Sequence, residues 1–133
     1  MFEYHGWATI RVSFSEDIDE SKVINEIRIF INDLKWPTGV LDLRAVNGEY
    51  HLWLAGFDNH KPHSDYDPVR IFRHICKSAP ASYGILYIRD DEDIEGHENE
   101  FRVYAMARGR LTEKQDIFLS PFIPTVEKEY KDE

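Results

Sequence analysis

The chain predicts an α+β fold in which two helices cover one face of an antiparallel sheet, and three observations carry that expectation. Residues 4–14 alternate apolar and polar side chains, an Asn47-Gly48 pair joins two further alternating runs, and two stretches repeat apolar residues at helical spacing. The expected order is β-α-β-β-α-β-β. Its first six elements match the split βαβ of a ferredoxin-like domain, with a fifth strand added as a hairpin partner at one edge.

In the first strand Ala8, Ile10, Val12 and Phe14 share one face, with His5, Trp7, Thr9 and Arg11 on the other. Asp17 or Asp19 is placed to cap the first helix, which runs to about Leu34. Its stripe is Val23, Ile27, Phe30 and Leu34, widened by Ile24 and Ile31, while Ile29 falls opposite. Trp36-Pro37-Thr38-Gly39 ends the helix. Asn47-Gly48 then predicts a two-residue type I′ turn, because both central residues must accept positive φ. That turn pairs Val46 with Glu49, and hence Leu43 with Leu52 and Leu41 with Leu54, gathering the apolar residues on one side. Asp42 then faces Trp53, and Arg44 faces His51.

Asp67-Pro68 opens the second helix, Pro68, Ile71, Phe72, Ile75 and Ala79 form its apolar stripe, and Pro80 stops it. Arg70, Arg73, His74 and Lys77 make a basic outer face. Residues 82–89 and 101–108 form the last hairpin. From Gly109 onward Pro121 and Pro124 argue against regular structure, although Leu111, Ile117, Phe118, Leu119, Phe122 and Ile123 need cover. Residues 1–126 are expected to form a single domain and residues 127–133 a charged tail.

With 133 residues, 42% of them hydrophobic, the chain is one globular domain by composition. Its 16 basic and 25 acidic residues leave a net charge of −9, which disfavours phosphate binding and attracts basic proteins. Cys76 is the only cysteine, so an intrachain disulfide is impossible and a reducing, cytoplasmic setting is expected. No signal peptide and no run long enough to span a membrane are present, so no membrane partner is expected.

The most concentrated feature is residues 90–100, Asp-Asp-Glu-Asp-Ile-Glu-Gly-His-Glu-Asn-Glu, with seven carboxylates and no Lys or Arg. Such a loop between two strands is either a solubilising bulge or the face presented to a positive partner. Asp90, Asp91, Glu92, Asp93 and Glu95 are the candidate electrostatic contacts, with Trp53 or Tyr87 as aromatic anchors. Asp91, Asp93, Glu95 and Gly96 imitate the opening of a calcium loop, but Arg102 stands where the closing bidentate Glu belongs. Asp58, His60, His63 and Asp65 share a polar loop, yet Lys61 and Pro62 separate the histidines and nothing rigid holds them as zinc ligands. A metal-dependent enzyme through this loop is the weakest reading, and no metal or other cofactor is expected. Cys76 reads as a small core residue. Nucleophile-elbow, phosphate-loop, dinucleotide and zinc-protease motifs are all missing, so no catalytic set emerges and the chain is not expected to be an enzyme.

The sheet face away from the helices is expected to show Trp7, Arg11, His51, Trp53, Tyr83, Tyr87, Arg89, Arg102, Tyr104 and Arg108. Three covers suit it: the apolar segment 117–123, a protein partner, or RNA stacked on its aromatic rings. The RNA-binding module is the alternative reading, opposed by the net charge and by the lack of an Arg/Lys-Gly-aromatic pattern in residues 49–57.

Three stretches resemble the Immunity protein 7 family of bacterial polymorphic toxin systems. They are Tyr4-His5-Gly6-Trp7; Asn47-Gly48-Glu49-Tyr50 with Leu52-Trp53-Leu54, Gly56-Phe57 and Asn59-His60; and Ser82 through Asp93, continuing in Asn99-Glu100-Phe101, Ala107-Arg108-Gly109 and Phe118-Leu119-Ser120-Pro121. Phe122 departs from the pattern, which places Cys there. The resemblance implies a cytosolic antidote that binds and neutralises a cognate toxin domain encoded beside it. It brings no catalytic residue. The acidic balance favours a basic toxin, such as a nuclease, as the target class.

Overall fold

The computed structural model describes residues 1–14 and 19–131. Strands β1 (Phe2–Ile10), β2 (Val40–Val46), β3 (Glu49–Asp58), β4 (Tyr83–Asp90), β5 (Arg102–Ala107) and β6 (Arg110–Gln115) form one antiparallel sheet in the order β2-β3-β1-β4-β5-β6. Helices α1 (Glu20–Leu34) and α2 (Pro68–Ser78) cover one face, and a single turn, α3 (Phe122–Thr125), lies near the C-terminus. None of the described helices is long and apolar enough to cross a membrane.

Local chemistry sets the helix ends. Asp19 accepts the Lys22 amide at the start of α1, and Lys35 closes it in the left-handed region at φ 49°. Asp17, the other expected cap, lies outside the described residues. Asp67 accepts the Val69 amide at 2.9 Å to open α2. Ile24, Ile27 and Ile31 of α1 and Ile71, Phe72 and Ile75 of α2 are buried against Tyr4, Ala8, Ile10, Leu52, Leu54 and Leu86 of the sheet. Ile29 is exposed, as its phase predicts.

The β2–β3 hairpin has the expected register, with Leu43 opposite Leu52, Leu41 opposite Leu54, and Asp42 opposite Trp53. Asn47 and Gly48 take φ of 51° and 84°. Arg108 and Gly109 repeat this device at 55° and 76°, and produce a strand where irregular chain was expected. β6 was hidden because Leu111 is its single apolar residue. Its other side chains, Arg110, Thr112, Glu113, Lys114 and Gln115, suit an exposed edge that resists pairing with another chain. The fifth strand is therefore second from the edge.

Four placements need correction. Val103 lies opposite Tyr87 and Tyr104 opposite Leu86, so Tyr104 and Arg102 point to the helix side of the sheet. Tyr104 packs on the core there, and burial raises its phenol pKa. Arg108 occupies the turn. His74 leaves the basic outer face of α2 and stacks on Phe30 of α1, ring centroids 3.7 Å apart. Burial, reinforced by Arg70 and Lys77, lowers its pKa. Cys76 packs against the core as expected.

Tyr4 organises the β1–β3 end. Its hydroxyl accepts the Trp36 indole N–H at 3.1 Å and donates to the Thr38 carbonyl at 3.4 Å. Gly56 makes this possible, since a Cβ there would lie 2.2 Å from the same hydroxyl. Two of the stretches behind the family resemblance thus meet at one packing contact.

Candidate functional site

The acidic loop between β4 and β5 is folded back on itself. Asp90 accepts the Glu92 amide at 3.0 Å, and Asp93 accepts the amides of Glu95 and His97 at 2.9 Å each. The His97 amide, followed by that of Glu95, holds the Asp93 carboxyl below the usual carboxylate range. Gly96 supplies the positive φ that closes this turn, at 93°. The His97 imidazole bonds Glu100, which raises its pKa. Asp90 and Asp93 therefore shape the loop, whereas Asp91, Glu92 and Glu95 are exposed.

Asp91 and Glu92 lie against the Met1 amino group, and Glu92 also bonds His60 at 2.6 Å. Those partners lower both carboxyls, the Met1 contact foremost for Asp91 and the His60 contact foremost for Glu92. Among the described residues, the Glu95 and Glu98 side chains have no ion-pair partner. At the tip, between Asp93 and Glu95, Ile94 is 96% exposed. Sequence reasoning passed over it, although a single apolar residue inside an acidic run was a readable signal.

The supposed metal ligands do not converge on one point. Asp58 accepts from Thr38 at 2.6 Å, His60 bonds Glu92, and His63 pairs with Asp65. Asp91, Asp93 and Glu95 have the separate partners or none, as described above. Among the described residues, no group of three or more His, Cys, Asp or Glu is arranged to hold a metal ion.

The C-terminal segment lies over one end of the open sheet face, and a polar seam holds it there. Asp116, buried, accepts the amides of Phe118 and Leu119 and the Ser120 hydroxyl at 2.7 to 3.1 Å. Ser120 Oγ in turn accepts the Phe101 amide at 2.9 Å. Asn99 bonds both the amide and the carbonyl of Ile123, at 2.8 and 3.0 Å. The Ser120-Pro121 and Ile123-Pro124 peptide bonds are cis. Only Phe122 of the segment's large apolar residues is buried; Ile117, Phe118, Leu119 and Ile123 remain exposed, so the segment, one of the three covers considered for this face, covers only one end of it.

Phe122 sits edge-on to Phe101 and over the guanidinium of Arg89, which is only 5% exposed and pairs with Glu3 at 3.4 Å. Beside this contact a cleft of about 560 Å³ opens on the sheet face, lined chiefly by Met1, Phe57, Tyr87, Phe101, Leu119 and Phe122. Tyr87, a predicted anchor, is in its wall. Trp53, the other, is 39% exposed beside His51 and opposite Trp7, with Trp7 in turn edge-on to Tyr83. Trp7 lies five positions along β1 from Phe2 at the loop end. That places Trp53 about 17 Å along the strand from the acidic loop, not beside it.

A family model described as Immunity protein 7 matches residues 1–128. Neither the curated proteins nor the solved structures gave a match.

Proposed function

The chain belongs to the Immunity protein 7 family, immunity proteins against toxins, and from that premise we propose that it neutralises a basic toxin domain by direct, non-catalytic, one-to-one binding through its acidic loop. The observation behind this reading is the form of the loop. Asp93 holds the turn from inside by accepting the Glu95 and His97 amides, and Ile94 stands exposed within that turn between Asp93 and Glu95. A pre-ordered apolar tip in a negative field loses little entropy on docking, and complementary fields speed encounter with a positive target. The net charge of −9 acts in the same direction. A nuclease is the toxin class that best suits such a field, since it must itself attract phosphate. The lone cysteine, half-buried, suits action in the reducing cytoplasm.

Co-expression with the toxin encoded beside it tests the reading. Rescue of growth and a one-to-one complex on gel filtration are expected. Failure to protect, with no complex formed, would overturn it.

The exposed Trp7, Trp53 and Tyr83, with Arg11 5.5 Å over the Tyr83 ring, favour one alternative, stacking of single-stranded RNA. Arg11 is also within 3.7 Å of Glu49, which weakens its pull on phosphate. A salt-dependent shift with mixed single-stranded RNA at physiological ionic strength would support this alternative, and none is expected.

A further inference from the structure

The geometry points to a second contact on the same toxin: the cleft beneath the C-terminal segment receives an apolar side chain that is flanked by Lys or Arg. This rests on the toxin-binding reading and assigns it a separate surface. The cleft walls are carbon-rich, from Phe57, Tyr87, Phe101, Leu119 and Phe122. Phe57 is 57% exposed on the strand β3 side, and Leu119 is exposed on the opposite wall. Its volume, about 560 Å³, is ample for a large side chain.

Charge selects the flanking residues. The one guanidinium in the lining, Arg89, is buried, paired with Glu3 and roofed by Phe122, so its charge is compensated inside the wall. Of the lining carboxylates, Glu3 is taken up by Arg89 and Glu127 has no ion-pair partner among the described residues, while the single Met1 ammonium lies between two carboxylates of the acidic loop, Asp91 and Glu92, which leaves an excess of negative charge. The rim is therefore negative around an apolar floor. An acidic or uncharged-polar segment would lose its hydration there without gaining a partner, whereas an apolar residue between basic ones satisfies both. Continuity with the acidic loop lets one basic toxin surface cover loop and cleft together.

The test places a photo-crosslinking benzoylphenylalanine at Phe57 in the complex with the cognate toxin domain. Attachment to an apolar toxin residue within a few positions of Lys or Arg is expected. Attachment to a second copy of this chain, to an acidic toxin segment, or to nothing would overturn the proposal. Leu119→Trp, which fills the cleft from an exposed position, is expected to weaken toxin binding at least tenfold, with Phe57→Ala acting in the same direction. Wild-type affinity in both would sink the cleft while leaving toxin binding by the loop intact. If the unmodified chain forms no complex with the toxin, the broader reading fails instead, and the two failures are thereby distinguished.

Discussion

Arg89 and Phe122 lie face to face, the guanidinium carbon 3.9 Å from the ring centroid, although thirty-two residues separate them in the chain. The ring shields a buried cation whose ion-pair partner among the described residues is Glu3. Removing it strips the guanidinium of its π contact and opens a hole against Phe101. Phe122→Ala is expected to destabilise the fold by about 2–4 kcal/mol in urea melts. Phe122→Leu, which keeps bulk but loses the π face, should cost about 1 kcal/mol. Equal losses for the two would show that packing alone holds the segment down.

Gly56 is expected to tolerate no side chain. Its Cβ would meet the Tyr4 ring at 2.3 Å as well as the hydroxyl at 2.2 Å. Gly56→Ala should cost about 3 kcal/mol, read as a lowered melting temperature. Adding Tyr4→Phe should not restore it, because the ring carbon still collides. Recovery in the double variant would mean the hydroxyl was the sole obstacle.

The acidic loop should be best ordered between about pH 4 and pH 6.5. The Asp93 pKa is lowered in the fold, so its contribution is present above the ordinary Asp range and is lost as pH falls through the lowered value. The His97 pKa is raised by Glu100, so its contribution is complete below the ordinary His value and fades as pH rises through the raised one. Amide exchange at Glu95 and His97, corrected for intrinsic rates, should therefore be slowest inside this window. Asp93→Ala should speed exchange at both amides together. Glu100→Gln should return the His97 titration toward its ordinary position, and an unmoved titration would refute the pairing.

Glu92→Lys combined with Glu95→Lys leaves Asp90 and Asp93 to hold the turn, so folding should be nearly unchanged. Association with the toxin should slow by about tenfold at low salt, the gap narrowing above about 0.15 M. Ile94→Ala should act on dissociation instead, raising the off-rate by about 2 kcal/mol if the tip seats in the partner. Wild-type kinetics in both variants would reduce the loop to a solubilising bulge. Trp53→Ala, at the other end of the open face, should leave both rates unchanged.

Local signals were legible wherever one short-range preference dominated. Asn47-Gly48 determined a turn, the turn determined the register, and the register aligned Leu43 with Leu52. Asp67-Pro68 opened α2, and the spacing of Ile24, Ile27 and Ile31 chose the buried face of α1. The whole-chain pattern was also sufficient for the family, whose match runs through residue 128. Tertiary structure decided the rest because those choices depend on partners far along the chain. Arg108-Gly109 has no Asn to announce its turn, and β6 has only Leu111 to bury, so pairing with β5 is what makes it a strand. The faces of Tyr104 and Val103 were settled by their alignment with Leu86 and Tyr87, since alternation in β5 alone leaves apolar residues on both sides, Met106 with Tyr104 and Ala105 with Val103. Phe122 became the buried member of its segment only because Asn99 and Ser120 seam that segment to the acidic hairpin, where Arg89 and Phe101 await its ring. The carboxylates looked alike in sequence. Backbone geometry divided them, turning Asp90 and Asp93 inward to hold the loop and leaving Glu92, Ile94 and Glu95 at its surface.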